Sequence, residues 1–171
     1  MAGIQRTKVV SVLVRNFVFG AEDGLVSTVG LLSGIAIAGV SRTNIILTGI
    51  VLVFVEAFSM GIASELSEHS AEEYEQHHEV GEHIPVLGGL VMFISYVVFG
   101  FIPLVPYLFA GGVTSLRYSI SISLVTLFAL GILSAKLSGT KLFRHGIVMT
   151  IMGGAAIVIG VAIGSLINIG G

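Results

Sequence analysis

Apolar residues fall into five long runs along this chain, at roughly 17–40, 45–64, 86–110, 118–135 and 145–167, with short polar joints between them. A helix needs about 20 consecutive apolar residues to cross a bilayer, and each run supplies that length or close to it. Within the fourth run, Tyr118-Ser-Ile-Ser-Ile-Ser-Leu124 alternates with the period of a strand. A lone strand in lipid would leave its backbone groups unpaired, so the run is predicted as a helix. The pattern predicts an all-α integral membrane protein with five transmembrane helices, forming a single membrane domain over 1–171. Nothing that breaks a helix separates the second run from the polar residues after it, so the second helix is predicted to continue into the cytoplasm.

Composition agrees. Of the 171 residues 54% are hydrophobic and 11% are charged, against about 25% charged in ordinary soluble domains. Eight Lys and Arg and ten Asp and Glu are too few to build a water-facing surface. The net charge of −2 implies no nucleic-acid partner. The absence of Cys excludes disulfides, thiolate zinc sites and iron–sulfur clusters, and no cofactor is expected. The N-terminus does not read as a signal peptide, because Arg15, Glu22 and Asp23 interrupt the apolar run and no small-residue cleavage site follows. Orientation follows from the basic residues. Arg6, Lys8 and Arg15 before the first span and Lys136, Lys141 and Arg144 in the fourth loop lie on one side, while Arg42 and Arg117 lie on the other. The positive-inside rule then puts the N-terminus in the cytoplasm and the C-terminus on the far side.

The second loop, 65–84, is therefore cytoplasmic and has no Lys or Arg. It holds seven of the nine Glu and four of the five His. Glu65, Glu68, Glu72, Glu75, Glu79 and Glu82 step by 3, 4, 3, 4 and 3, which sets six carboxylates along one stripe of a helix. His78 falls in the same stripe, and His69 lies at its edge. Two readings stand side by side. The stripe is a solvated acidic face, or it collects divalent cations, since carboxylates with imidazoles suit Fe²⁺, Mn²⁺ and Zn²⁺. Glu75-x-x-His78 also has the spacing of the di-iron unit of helical bundles, in a single copy.

Inside the spans the polar residues are few. Asp23, the only Asp, lies eight residues past Arg15, roughly 12 Å along a helix. The second span runs the other way, and counting back from Glu65 brings Met60 roughly 8 Å and Glu56 roughly 14 Å into it. The three therefore lie at similar depth, with Glu56 and Met60 on one helix face. A charged group at mid-membrane costs about 2.5–3.5 kcal/mol on the insertion scale. Either these acids are protonated and hydrogen-bonded to a neighbouring helix, or they form a cation site. Two oxygen donors and a thioether favour a transition metal over Mg²⁺ or Ca²⁺. Gly20/Gly24, Gly30/Gly34 and Gly160/Gly164 have the spacing that permits close helix contact, within or between subunits. Pro103 and Pro106 should kink the third span and free carbonyls, which line a path or are satisfied by water or Ser. Pro85 should open that helix in its first turn.

These residues resemble the vacuolar iron transporter family, which includes the yeast vacuolar iron and manganese carrier and the plant nodulin-like transporters. The stretches that carry the resemblance are Phe19-Gly-Ala-Glu-Asp-Gly-Leu-Val-Ser27, Ala57-Phe-Ser-Met-Gly61, Ile102-Pro-Leu-Val-Pro-Tyr-Leu-Phe109 and Gly153-Gly-Ala-Ala156, in order along nearly the whole chain. The resemblance implies a five-spanning two-fold homodimer that exports Fe²⁺ from the cytoplasm in exchange for protons. It also implies that Asp23 and Met60 match the membrane Asp and Met of an ion path at the dimer interface. Iron-storing plant members carry a membrane Glu two turns before the Met; Leu52 stands there in this chain, and Glu56 is one turn nearer. Those members also insert a cytoplasmic three-helix metal-binding domain, for which a loop of this length leaves no room, as in the nodulin-like members. The Glu stripe reads as a reduced substitute at the cytoplasmic mouth.

The function expected is proton-coupled export of Fe²⁺ or Mn²⁺, with Asp23, Glu56 and Met60 as the membrane path and Glu65, Glu68, Glu72, Glu75, His78, Glu79 and Glu82 as the mouth. Metal and proton would compete for the same oxygens. The expected partners are divalent metal ions, protons, the lipid bilayer and a second copy of the chain. Two rivals remain: a membrane-attached ferroxidase built on Glu75-x-x-His78, and a passive metal-binding or scaffold protein. Neither needs ionisable groups inside a bilayer, so transport is preferred over enzymatic activity. The shortness of the chain and the lack of a targeting extension point to a prokaryotic cell membrane, with a vacuole-like membrane as the eukaryotic counterpart.

Overall fold

A computed structural model of the chain describes residues 2–76 and 83–169, with side chains over 9–74 and 83–167. Among the described residues all regular elements are helical. Helix α1 runs Ala2–Ile37, α2 Arg42–Gln76, α3 His83–Gly100, α4 Val105–Phe109, α5 Gly112–Ser138 and α6 Leu142–Ile169. A 3-10 turn, Ile102–Leu104, joins α3 to α4. Four of the five predicted spans therefore each form a single helix, the alternating stretch at Tyr118 included, and the third is divided between α3 and α4. The break between α3 and α4 falls at Pro103 and Pro106, which have no N–H to continue the helical ladder. The carbonyl of Pro103 accepts a hydrogen bond from the Ser119 hydroxyl at 2.7 Å. The kink is thus satisfied by Ser, one of the two outcomes the sequence left open.

Helices α1 and α5 stop by the same local device. Gly39 (φ 83°) and Gly139 (φ 66°) take the left-handed conformation, where a side chain would be strained. Val40 N–H then returns to the Ile35 carbonyl and Thr140 N–H to that of Ala135. The next helix follows at once, with the Ser41 hydroxyl accepting from Asn44 N–H at 3.4 Å at the start of α2.

The long helices alternate in direction. Gly20 and Gly24 of α1 lie against Met92 and Tyr96 of α3 in parallel order, and Gly30 and Gly34 against Ala156 and Gly160 of α6. Helix α2 is antiparallel to α3, with Gly61 against Gly89 and Val53 against Gly100, and α5 is antiparallel to α6, with Gly131 against Gly146. Helix α1 is the hub. Its Ala21, Leu25, Val29 and Leu32 are fully buried along one stripe. Ala21 and Leu25 pack with Leu127, Leu130 and Met149, while Leu32 packs with Ile45, Val53, Leu104 and Tyr107.

Among the described residues four helical segments are long and apolar enough to cross a membrane: Arg42–Tyr74, His83–Phe109, Gly112–Ser138 and Leu142–Ile167. The protein is an integral membrane protein. Helix α1 is as long but carries Glu22, Asp23, Ser27, Thr28 and Ser33 at its centre. Its position explains the difference. A helix enclosed by neighbours need not be apolar all round, whereas the outer helices expose large apolar side chains such as Val51, Phe54, Val55 and Phe58 of α2 and Ile151, Val158 and Ile159 of α6.

Candidate functional site

The polar residues of α1 and α2 form a ladder because the two helices are antiparallel. Successive turns of α1 meet earlier and earlier turns of α2. At the first rung the Arg15 guanidinium pairs with the Glu68 carboxylate; Arg15 is exposed and Glu68 is buried. At the second, the Ser64 hydroxyl donates to Asn16 Oδ1, while Asn16 Nδ2 donates to the Val12 carbonyl at 3.0 Å. At the third, Phe19 and Met60 line one cavity of about 400 Å³ together with Met92 of α3. At the fourth, the carboxylates of Asp23 and Glu56 lie within each other's electrostatic reach.

Asp23 is part of a small polar group deep in the bundle. The Ser27 hydroxyl, one turn along α1, donates to the Asp23 backbone carbonyl. That leaves the Tyr96 hydroxyl to donate to Ser27 Oγ at 2.9 Å. Tyr96 is fully buried and feels the charge of both Asp23 and Glu56. Asp23 also lines a groove of about 440 Å³ that follows the seam of α1 and α6 past Gly30, Gly34, Gly160 and Gly164. Its neighbour Glu22 points elsewhere, because consecutive helical residues are about 100° apart. Glu22 lines a separate cavity of about 640 Å³ with Arg15, Ser134 and Ser138, between α1 and α5. Two carboxylates, a phenol and a hydroxyl among apolar helices are equipped to hold either a cation or its charge equivalent in protons.

Asp23 and Glu56, expected at one depth from counting alone, are thus near each other. Met60 is one turn away, on a different cavity from the groove that Asp23 lines. Among the described residues no three His, Asp or Glu side chains gather tightly enough to hold a metal ion by themselves.

The described part of the Glu stripe is turned toward the bundle. Glu68 and Glu72 are buried, and the Cβ of Glu65 would press on a side chain at Gly89. His69 Nε2 stands 3.3 Å from Glu73 Oε1, off the stripe. The Glu75 side chain, His78, Glu79 and Glu82 lie outside the described residues. The three glycine pairs all make contacts within the chain. Gly20 and Gly24 admit α3, with a Cβ at Gly24 falling 2.6 Å from the Tyr96 carbonyl oxygen, while Gly30 and Gly34 face Gly160 and Gly164.

Sequence reasoning did not pick out Ser27, Tyr96, Asn16, Ser64 or Met92, nor the Arg15–Glu68 pair. For Asn16 a signal was present, since an amide at the edge of an apolar run needs a partner. For Met92 there was none, because a Met in a membrane helix is usually packing.

A family model described as the VIT family matches residues 14–83 and 71–165. The chain belongs to that family, the vacuolar iron transporters, whose members transport metal ions. A comparison with curated proteins finds no match.

Proposed function

We propose that this protein is a proton-coupled exporter of Fe²⁺ or Mn²⁺, moving metal out of the cytoplasm past Asp23, Glu56 and Met60. The observation that supports it most is the pairing of Asp23 and Glu56. Two carboxylates inside an apolar bundle repel each other unless a cation or protons lie between them. A metal ion that displaces protons from these oxygens, and is displaced by them, couples the two flows without further machinery.

One chain contributes two carboxylates and a thioether, short of the six ligands that Fe²⁺ and Mn²⁺ commonly take. A two-fold homodimer would double the set if the path lay at its axis. Helix α1 then serves as a fifth span, since it packs in parallel with α3 and α6 along its apolar half. The polar end of α2 beyond Glu65 extends on the cytoplasmic side. There Glu65, Glu68, Glu72, Glu75, His78, Glu79 and Glu82 form the collecting mouth.

The test is metal uptake into proteoliposomes under an imposed proton gradient. Asp23→Ala and Met60→Ala are expected to abolish uptake while the protein still inserts and elutes normally. Unchanged transport in both variants would reject this path.

A further inference from the structure

Helix α4 ends at the face of the bundle opposite the Arg15–Glu68 pair. There Arg42, at the start of α2, donates from Nε to the Tyr107 carbonyl at 2.6 Å and from Nη2 to that of Leu108. Just inside this face, hydroxyls collect around the break between α3 and α4. Residues 111–114 are exposed, and Ser115, the next residue of α5, is fully buried. Ser119 lies one turn deeper and donates to the Pro103 carbonyl at 2.7 Å. The fully buried Tyr107 hydroxyl faces Ser119 without closing a hydrogen bond, leaving a gap of the kind that a water bridges. Three residues before Pro103, the Thr28 hydroxyl of α1 lies against Gly100 of α3, where a Cβ would come within 3.4 Å of it.

The hydroxyls of Thr28, Tyr107 and Ser115 are buried and have no hydrogen-bond partner among the described residues. Other hydroxyls of this chain behave differently. Ser123, Thr126 and Thr150 turn back onto the carbonyl four residues earlier, at 2.7–2.8 Å. Thr28 and Ser115 turn away from theirs. A buried hydroxyl left unpaired is costly, and proteins meet such groups with ordered water bonded to two to four polar atoms. We infer that internal water binds at the α3–α4 break, bridging Tyr107, Ser115 and Ser119, and that these hydroxyls with Thr28 form a proton route separate from the metal path. The chemistry follows from the groups. A hydroxyl or a water both donates and accepts, so a line of them hands a proton on while each member stays neutral. The line itself holds no carboxylate, imidazole or thioether, so it gives a transition metal little to bind. Its members stand on α1, α4 and α5, whereas Glu56 and Met60 stand on α2. Its outer end, Ser115, is roughly 6 Å along the helix from the exposed Gly111. Its inner end, Thr28, follows Ser27, whose hydroxyl donates to the Asp23 carbonyl.

This inference rests on the proton-coupled reading, and the experiments separate the two. Tyr107→Phe keeps the ring and removes one hydroxyl. A hydroxyl bonded to water stabilises the fold, and one buried dry weakens it. The variant is therefore expected to lower the Tm of the detergent-solubilised full chain. An unchanged or raised Tm would overturn the water site. Should Tyr107→Phe give no folded protein, Ser115→Ala is read in the same way. The route is tested in proteoliposomes that enclose a pH-sensitive dye and carry an imposed Mn²⁺ gradient. The double variant Tyr107→Phe, Ser115→Ala is expected to slow Mn²⁺-driven proton flux about tenfold. Equilibrium Mn²⁺ binding in detergent should change by less than about twofold, whereas a purely structural defect would move both. Equal proton flux from the variant and the unaltered chain would remove the route and leave the exporter reading standing. No Mn²⁺-driven proton flux from the unaltered chain would sink the exporter reading and the route with it, and the water site would then stand or fall on the Tm.

Discussion

Helix α1 meets α6 and α2 in opposite ways. Against α6 the contact is made of backbone and small residues, with Gly30 and Gly34 packed on Gly160 and Gly164. Against α2 it is made of polar side chains, in the Arg15–Glu68 and Asn16–Ser64 pairs and the Asp23–Glu56 approach. A glycine seam has a single close fit, and anything larger must push the helices apart. A ladder of hydrogen bonds and an ion pair exchanges partners at modest cost. The lesson is that one helix is held by close backbone packing on one face and by polar side chains on the other.

Three substitutions test that contrast. The largest effect is expected from Gly34→Leu. A Cβ there would already lie 2.7 Å from the Gly160 carbonyl oxygen, which is backbone and has nowhere to go. Overpacking of this kind should destabilise by about 3 kcal/mol or more, read as loss of monodisperse protein and a lowered Tm in detergent. A variant that unfolds like wild type would show that the seam is not an anchor. Arg15→Ala comes next. It leaves the buried Glu68 carboxylate without its partner, at a cost of roughly 1–3 kcal/mol. Added Mn²⁺ should recover part of that loss in a thermal unfolding scan, since the freed carboxylate then takes the ion. A loss that Mn²⁺ does not touch would count against a metal role for Glu68. The smallest effect belongs to Tyr96→Phe, which removes one hydrogen bond to Ser27 and should lower stability by about 0.5–1.5 kcal/mol. Proteoliposome uptake should persist in this variant, because both carboxylates remain; its abolition would place the phenol itself on the path.

Much of this was legible in the residues. The five runs are all helical, the third in two pieces, because apolar length and the 1.5 Å rise are local properties. Asp23 and Glu56 could be set at one depth by counting, and the antiparallel order of α1 and α2 then brought them together. Pro103 and Pro106 marked a break that the chain makes at that point. Other features were not readable. The Glu stripe has the right period for a helix face, but periodicity says only that the carboxylates share a face and not what the face meets. The structure turns Glu68 and Glu72 inward and pairs Glu68 with a residue more than fifty positions away.

The sequence by itself determined the helical class and the membrane location, because burial in lipid forces every backbone group to be satisfied within its own segment. Only the tertiary structure decided which glycines oppose which, that Arg15 is the partner of Glu68, and that Met92 shares a cavity with Met60. Those outcomes depend on how each helix is rotated about its axis against its neighbours. Rotation is set by side-chain packing summed over several helices at once, which no single segment encodes.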